Sequence, residues 1–347
     1  MTFMMKSCVI FTLQGANNIG AFLQAYGLMT VLKRLEIDVK FGIYPNDKTE
    51  KSNLLAKVIR YIKTGDIKKL MYKVKTVSTY REIQSTLPTI DMYSNPFFDY
   101  AIIGSDEVWN IKSDNFVHYP SFLGHDIKPD KIVAYAACGN EVTTGDFARL
   151  LPCEDFSAFT SLSARDYDTV KCVEQVSKRT VMRVVDPTML IDDFDIDIPQ
   201  CPISNDFILV YSYGIDKKHI KGIKTFAKKN KLPLISVGTY NSWCDKNVVA
   251  NPWEFLGYLR AAKYVIVSTF HGTVLSVKFN KQFVCFAGNS SKVRDILSFY
   301  DLMDRNVQGL ENVDTLFKST IDYTTANEII KQSRNLSMNY LREALGL

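Results

Sequence analysis

His271 has the sequence neighbourhood best suited to chemistry. It sits in Ser268-Thr269-Phe270-His271-Gly272, after the apolar run 264–268 and before residues 273–279, which mix apolar and small types over two helical turns. That pattern predicts a buried parallel strand, a corner and a short helix. Ligands of open α/β sheets bind beyond the carboxyl ends of the strands. A helix starting there offers free N–H groups and a partial positive charge. An imidazole at that corner stands where an anion would bind, and Gly272 lets the backbone come close. The competing reading is a corner histidine bonded to a carbonyl.

Three other corners are of the same kind. The run 98–104 ends in Ser105-Asp106-Glu107-Val108-Trp109. A carboxylate at Asp106 could take a proton from a hydroxyl or hold one, or simply cap the next helix. Arg165 lies between Ala164 and Asp166, ahead of a helical stretch at 167–176. Its guanidinium could fork onto a carboxylate or phosphate, or pair at the surface with Asp166 or Asp168 to little effect. Residues 14–20 form a Gly/Asn turn between a strand at 7–13 and a helix at 21–35. Such an open helix start suits phosphate or sugar hydroxyls. It is not a GxGxxG turn, and a plain strand-to-helix turn remains the alternative.

To position these corners the chain needs alternating strands and helices. At 347 residues two domains are the default. In the first half strands are predicted at 7–13, 39–44, 98–104, 131–137 and 182–185. In the second half they fall at 207–211, 234–237, 264–268 and 282–286, with helices at 217–230, 251–262, 296–300 and 326–345. Residues 192–205, acidic and proline-bearing, read as the linker. This gives a first lobe over 1–195, a second over 206–325, and a C-terminal helix at 326–347 placed to pack back on the first lobe.

Residues 48–81 stand apart, with ten Lys/Arg against Glu50 and Asp66, and with Leu54, Leu55, Val58, Ile59 and Ile62 on one stripe. They predict a basic helical insert spanning 48–95. Its two readings are a peripheral contact with an anionic membrane and a solvated charged face.

Composition narrows the classes. Seven cysteines form no CxxC pair and the four histidines have no metal-ligand spacing, so the expectation is reduced thiols in a cytoplasm and no metal. A net charge of +5 is too mild to argue for nucleic acid. No apolar run reaches the ~20 residues that span a bilayer.

Several ordered pieces resemble the polysaccharide pyruvyl transferase family. They are Asn17-x-x-Gly20-x-x-Leu23-Gln24-x-Tyr26, residues 104–109, Tyr135-Ala-Ala, Ser163-Ala-Arg165-Asp166, Asp186-Pro-Thr-Met-Leu190, and residues 268–272. The sequence departs from the family pattern at Cys138-Gly139, at Asp166 where Glu is usual and at Thr269 where Ser is usual. The resemblance implies an α/β fold of two Rossmann-like lobes with mostly parallel sheets, similar to GT-B glycosyltransferases, with the site in the interlobe cleft. It implies phosphoenolpyruvate as co-substrate, no cofactor, and a pyruvate ketal formed on two hydroxyls of a sugar that is free, nucleotide-linked or lipid-linked. The cysteine usage places the protein in the cytoplasm, with the inner face of the membrane as the location if the basic insert binds lipid. The resemblance implies catalytic roles for Arg165 and His271 and a further basic donor contact that Lys292 or Arg294 would fit; Gly272 joins the candidate donor contacts by its place beside His271. Asp106 is the candidate base for the acceptor, whose candidate contacts are Asn17, Asn18, Gln24, Ser105 and Trp109. The rival readings are a nucleotide-sugar glycosyltransferase on the same plan and a non-catalytic carbohydrate- or lipid-binding protein.

Overall fold

A computed structural model describes residues 5–44, 66–113, 119–192, 194–307, 309 and 313–347. The strands are Lys6–Phe11 (β1), Ile37–Ile43 (β2), Thr89–Asp91 (β3), Phe98–Ile103 (β4), Pro129–Ala134 (β5), Ser163–Ala164 (β6), Met182–Arg183 (β7), Ile208–Tyr211 (β8), Leu234–Val237 (β9), Lys246–Val248 (β10), Tyr264–Val267 (β11) and Phe283–Cys285 (β12). The helices are Ile19–Arg34 (α1), Ile67–Gln84 (α2), Thr144–Leu150 (α3), Tyr167–Ser177 (α4), Pro187–Leu190 (α5), Lys217–Lys229 (α6), Pro252–Ala261 (α7), Phe270–Lys278 (α8), Ser291–Phe299 (α9), Val313–Lys318 (α10) and Thr324–Leu345 (α11).

The apolar runs Val9-Ile10-Phe11, Ala101-Ile102-Ile103, Ile208–Tyr211 and Val265-Ile266-Val267 are buried throughout, as parallel strands covered on both faces must be. They form two five-stranded sheets of the same order, β3-β2-β1-β4-β5 and β10-β9-β8-β11-β12. All pairings are parallel; Cys8 faces Tyr100 in the first sheet and Tyr264 faces Ile208 in the second. In each sheet the chain winds one way from the first strand and then reverses. The crevices therefore open at β1/β4 and β8/β11. The sequence's Asp106 corner lies beyond β4 and its His271 corner beyond β11, one at each crevice.

Helix α1 shows why the two crevices meet. Most of it is buried, Ile19 through Gln24 without a break, because it lies between the lobes rather than on a surface. Phe22 and Tyr26 meet Trp253 of α7 edge-on at 5.6 and 4.7 Å. One apolar core runs from Phe22 and Leu28 through Leu256 and Phe270 to Val274. Helix α11 closes the first sheet: Tyr340 donates to the carbonyl of Ala134 at 2.8 Å, and Tyr100 donates to that of Leu345 at 3.0 Å.

Some boundaries differ from the sequence reading. Helix α9 starts at Ser291, not 296, so Lys292 and Arg294 belong to its first turn rather than to a loop. Helix α8 starts at Phe270, putting His271 inside the helix. Of the expected insert at 48–95, residues 48–65 lie outside the described residues and Ile67–Gln84 form helix α2, but Thr89–Asp91 form β3, which pairs with β2 at the edge of the first sheet, so the insert does not stay helical to 95. Among the described residues no helix is long and apolar enough to cross a membrane.

Candidate functional site

The site is built from chain corners that the sheets bring together. Beyond β11, Thr269 caps α8, its Oγ1 accepting from the Gly272 N–H at 3.0 Å. The hydroxyl does this work whether Ser or Thr carries it. A side chain at Gly272 would meet Thr269 Oγ1 at 2.7 Å and the Tyr211 ring at 2.9 Å. The capped first turn aims His271 at the first lobe. There it lies against Gly20 of α1, where an added Cβ would fall 2.1 Å from the imidazole Cγ. Gly20 is therefore the residue that admits the ring between the lobes.

Beyond β6, Arg165 is planted just before α4, whose cap is Asp166 through a 2.9 Å bond from Thr169 N. Asp166 is thereby occupied, and Arg165 does not pair with it. Instead the guanidinium forks: Nη1 donates to Asp186 Oδ2 and Nη2 to Asp106 Oδ1, both at 2.9 Å. Its face stacks on Phe270 at 4.2 Å from the ring centroid. Asp186 ends the stretch after β7 and caps α5, its Oδ1 accepting from Thr188 N at 3.1 Å and Thr188 Oγ1 at 2.8 Å. His271 Nε2 lies 3.4 Å from Asp186 Oδ2 and has no hydrogen-bond partner. Guanidinium and imidazole, from opposite lobes, thus converge on one carboxylate oxygen.

The electrostatics follow from that convergence. Burial works against charge on Asp186, but His271, Arg165 and the Thr188 N–H outweigh it and hold the carboxyl below the usual carboxylate range. At Asp106 burial is likewise overcome, by Arg165 first and then His271 and Lys292, and its carboxyl is also held low. Both are carboxylates at neutral pH. The buried Cys138 thiol is pushed well up by desolvation and is inert as a nucleophile.

Around this buried group runs a more exposed rim. Lys292 pairs across the lobes with Glu107, which also accepts from Asn110 Nδ2 at 2.8 Å. Asn18 caps α1 through Gly20 N at 2.8 Å and donates from Nδ2 to Tyr213 OH at 2.8 Å. Arg183 meets Asp295 at 2.7 Å. Arg165 and His271 are only 3% and 7% exposed. A cavity of 680 Å³ between Val108, Phe122 and Leu151 lies on the first lobe and includes neither residue.

Several candidate residues fall elsewhere. Trp109 is fully buried, its Nε1 donating to Phe122 O at 2.9 Å and its ring packed on Phe156, so it is core and presents no face to an acceptor. Gln24 is also fully buried and spends its amide on Thr12 Oγ1 and Ala21 O, both at 2.9 Å. Ser105 is buried beside Asp186, 3.5 Å from Oδ2. Arg294 is turned onto the carbonyls of Gly288 and Asn289 at 2.7 and 3.2 Å. Asn17 is exposed on the loop before α1. Asp186, Glu107, Tyr213 and Gly20 were not candidates in the sequence. Asp186 carries the same signal as Asp106, an acid at the carboxyl end of a strand.

The sequence matches the family described as Polysaccharide pyruvyl transferase over residues 18–290, most of the chain, and the protein belongs to that family. No curated protein matches it. Among solved structures it is similar to a UDP-N-acetylglucosamine 2-epimerase, with a TM-score of 0.56 and 10% identity, covering 98% of this chain and 95% of that one. The UDP-GlcNAc 2-epimerase of Methanocaldococcus jannaschii gives 0.52 and 9% over 94% and 98%, and that of Neisseria meningitidis 0.51 and 12% over 98% and 99%. At such identities the likeness is one of fold, and that fold is two Rossmann-like lobes of GT-B type.

Proposed function

We propose that this member of the polysaccharide pyruvyl transferase family transfers pyruvate from phosphoenolpyruvate to two hydroxyls of a sugar, forming a ketal and releasing phosphate. The observation that carries the reading is the meeting of Arg165 and His271 on Asp186 at the junction of both switch points. Phosphoenolpyruvate brings a carboxylate and a phosphate. It asks for cations and a helix N-terminus in one place. The first turn of α8 and Lys292 supply them once Lys292 exchanges Glu107 for the donor. Arg165 does not meet the donor through its fork, which Asp106 and Asp186 fill. It holds both carboxylates ionised and in register.

In the reaction C3 of the enol gains a proton and C2 becomes electrophilic. One sugar hydroxyl attacks C2, the C2–O bond to phosphate breaks, and the second hydroxyl closes the ring. Of the two protons the diol gives up, one ends on C3 and one on phosphate. Asp106, ionised and with Oδ1 fixed by Arg165, takes the proton of the attacking hydroxyl. His271, beside Asp186, delivers a proton to the donor.

The test is phosphate release from phosphoenolpyruvate across β-galactosyl, mannosyl and glucosyl acceptors. Release with at least one acceptor is expected. A melting temperature raised by a UDP or GDP sugar but not by phosphoenolpyruvate would favour the glycosyltransferase reading instead.

A further inference from the structure

Helix α2 has two opposed faces. Tyr72, Thr76 and Tyr80, four residues apart, form the buried one. Tyr72 meets Tyr240 edge-on at 5.4 Å and donates to Val248 O at 3.2 Å, so this face is fastened to the second lobe. The other face carries Ile67, Met71 and Val74 at 62, 67 and 61% exposure. Spacings of four and three put them in one line. That line is turned half a circumference from the buried face. One exposed apolar residue needs no explanation, but a contiguous stripe of three does.

The charges on the helix are mainly positive, with Glu82 the one acid, on the same side as Lys68 and Lys75. Helix α2 holds Lys68, Lys69, Lys73, Lys75 and Arg81 against a single acid, Glu82. Lys68 and Lys75 flank the stripe on one side and Arg81 continues it on the other, all exposed. At the far end Gln84 Nε2 donates to Ala16 O at 3.1 Å, so the helix finishes against the loop that carries Asn17 and Asn18, on the rim of the interlobe site.

We propose that α2 docks on an anionic lipid bilayer. The stripe Ile67, Met71 and Val74 enters the boundary between headgroups and acyl chains, while Lys68, Lys75 and Arg81 lie among the lipid phosphates. An acidic protein would use the cations but leave three large apolar side chains without a role. A bilayer uses both. Docked in this way, α2 turns the Asn17–Asn18 rim toward an acceptor held at the membrane. This last step rests on the proposed transfer reaction, whereas the docking itself does not.

The experiment is co-sedimentation of the whole chain with vesicles of phosphatidylcholine alone or mixed with phosphatidylglycerol. Binding is expected to the mixed vesicles only, and to weaken as salt rises. Lys68→Gln, Lys75→Gln and Arg81→Gln should each weaken it about fivefold. The triple variant Ile67→Ser, Met71→Ser, Val74→Ser should abolish it with its melting temperature unchanged. Phosphate release on a water-soluble acceptor should be the same in every variant, so vesicle binding and pyruvyl transfer are read separately. The proposal is overturned if the wild type stays in the supernatant with phosphatidylglycerol vesicles, or if the triple serine variant sediments as the wild type does. It is equally overturned if the wild type is a dimer by light scattering and the serine variant a monomer, because a second copy then covers the stripe.

Discussion

The inner and outer parts of the contact between the lobes are both made of ion pairs, yet they are different objects. Inside, the side chains of Arg165 and Asp186 are each 1% exposed and that of Asp106 12%, with ideal 2.9 Å bonds. Outside, Lys292 and Glu107 are 17% and 14% exposed, and Arg183 and Asp295 29% and 20%. A buried charge is tolerated only while its partners remain. A pair reached by water can trade one anion for another at small cost. The inner group therefore sets geometry, and the rim is where a charged ligand can be admitted.

The largest break in that contrast is Arg165→Met. It leaves Asp106 and Asp186 buried without their cation and should lower the unfolding free energy by about 3–5 kcal/mol in urea titrations at pH 7. The pH dependence gives the sign. The fold depresses both carboxyls, so their contribution is present above their ordinary value of 3.8 and disappears as pH falls through the depressed values. The gap between variant and wild type should close as pH falls, beginning above 3.8 because burial raises the carboxyls once their cation is gone, and completing at the depressed values, since protonated acids need no cation. Equal stability at pH 7 would mean the network is not what it looks like.

His271→Ala should have the reverse signature. Phosphate release should drop ~10²–10⁴-fold if the imidazole delivers a proton, while the urea midpoint moves little. Near-normal release would remove His271 from the chemistry. Gly20→Ala keeps every polar group but drives a methyl into the ring, 2.1 Å from Cγ in the present arrangement. A displaced acid of this sort costs about 10²-fold in turnover, and a crystal structure of the variant should show the imidazole swung aside. The smallest effect is at the rim. Lys292→Gln should raise the KM for phosphoenolpyruvate at least ~10-fold, the loss of one charge-assisted bond, with stability within about 1 kcal/mol of wild type. A stability loss as large as that of Arg165→Met would erase the distinction between floor and rim.

The corners were legible because each is announced locally. Apolar β-rich runs followed by Gly, Asn, Asp or Ser mark strand ends, and that rule picks out His271 and Asp106, while Arg165 is marked by the helical stretch that follows it and by the family resemblance. Asp186 carried the same mark, at the end of the strand predicted over 182–185, but nothing local shows its part in the network, since Arg165 and His271 reach it from 21 and 85 positions away. Trp109 misled for the opposite reason. It follows an exposed-looking Asp-Glu, but its ring turns back into the core on Phe156 and Phe159. The short elements β3, β10, α3 and α10 have too few residues to show a period.

What the sequence determined by itself is the alternation of strand and helix and the set of residues at strand ends, since each depends on a spacing of two to four residues, while the two-lobed plan follows from chain length and the family resemblance. Only the tertiary structure decided who meets whom. Arg165 passes over its neighbour Asp166, whose carboxylate is spent on a helix cap, for Asp106 and Asp186, 59 and 21 positions away. His271 reaches the same oxygen only because Gly20, far off in the chain, lacks a side chain. Such meetings depend on how one sheet is laid against another, and periodicity carries no record of that.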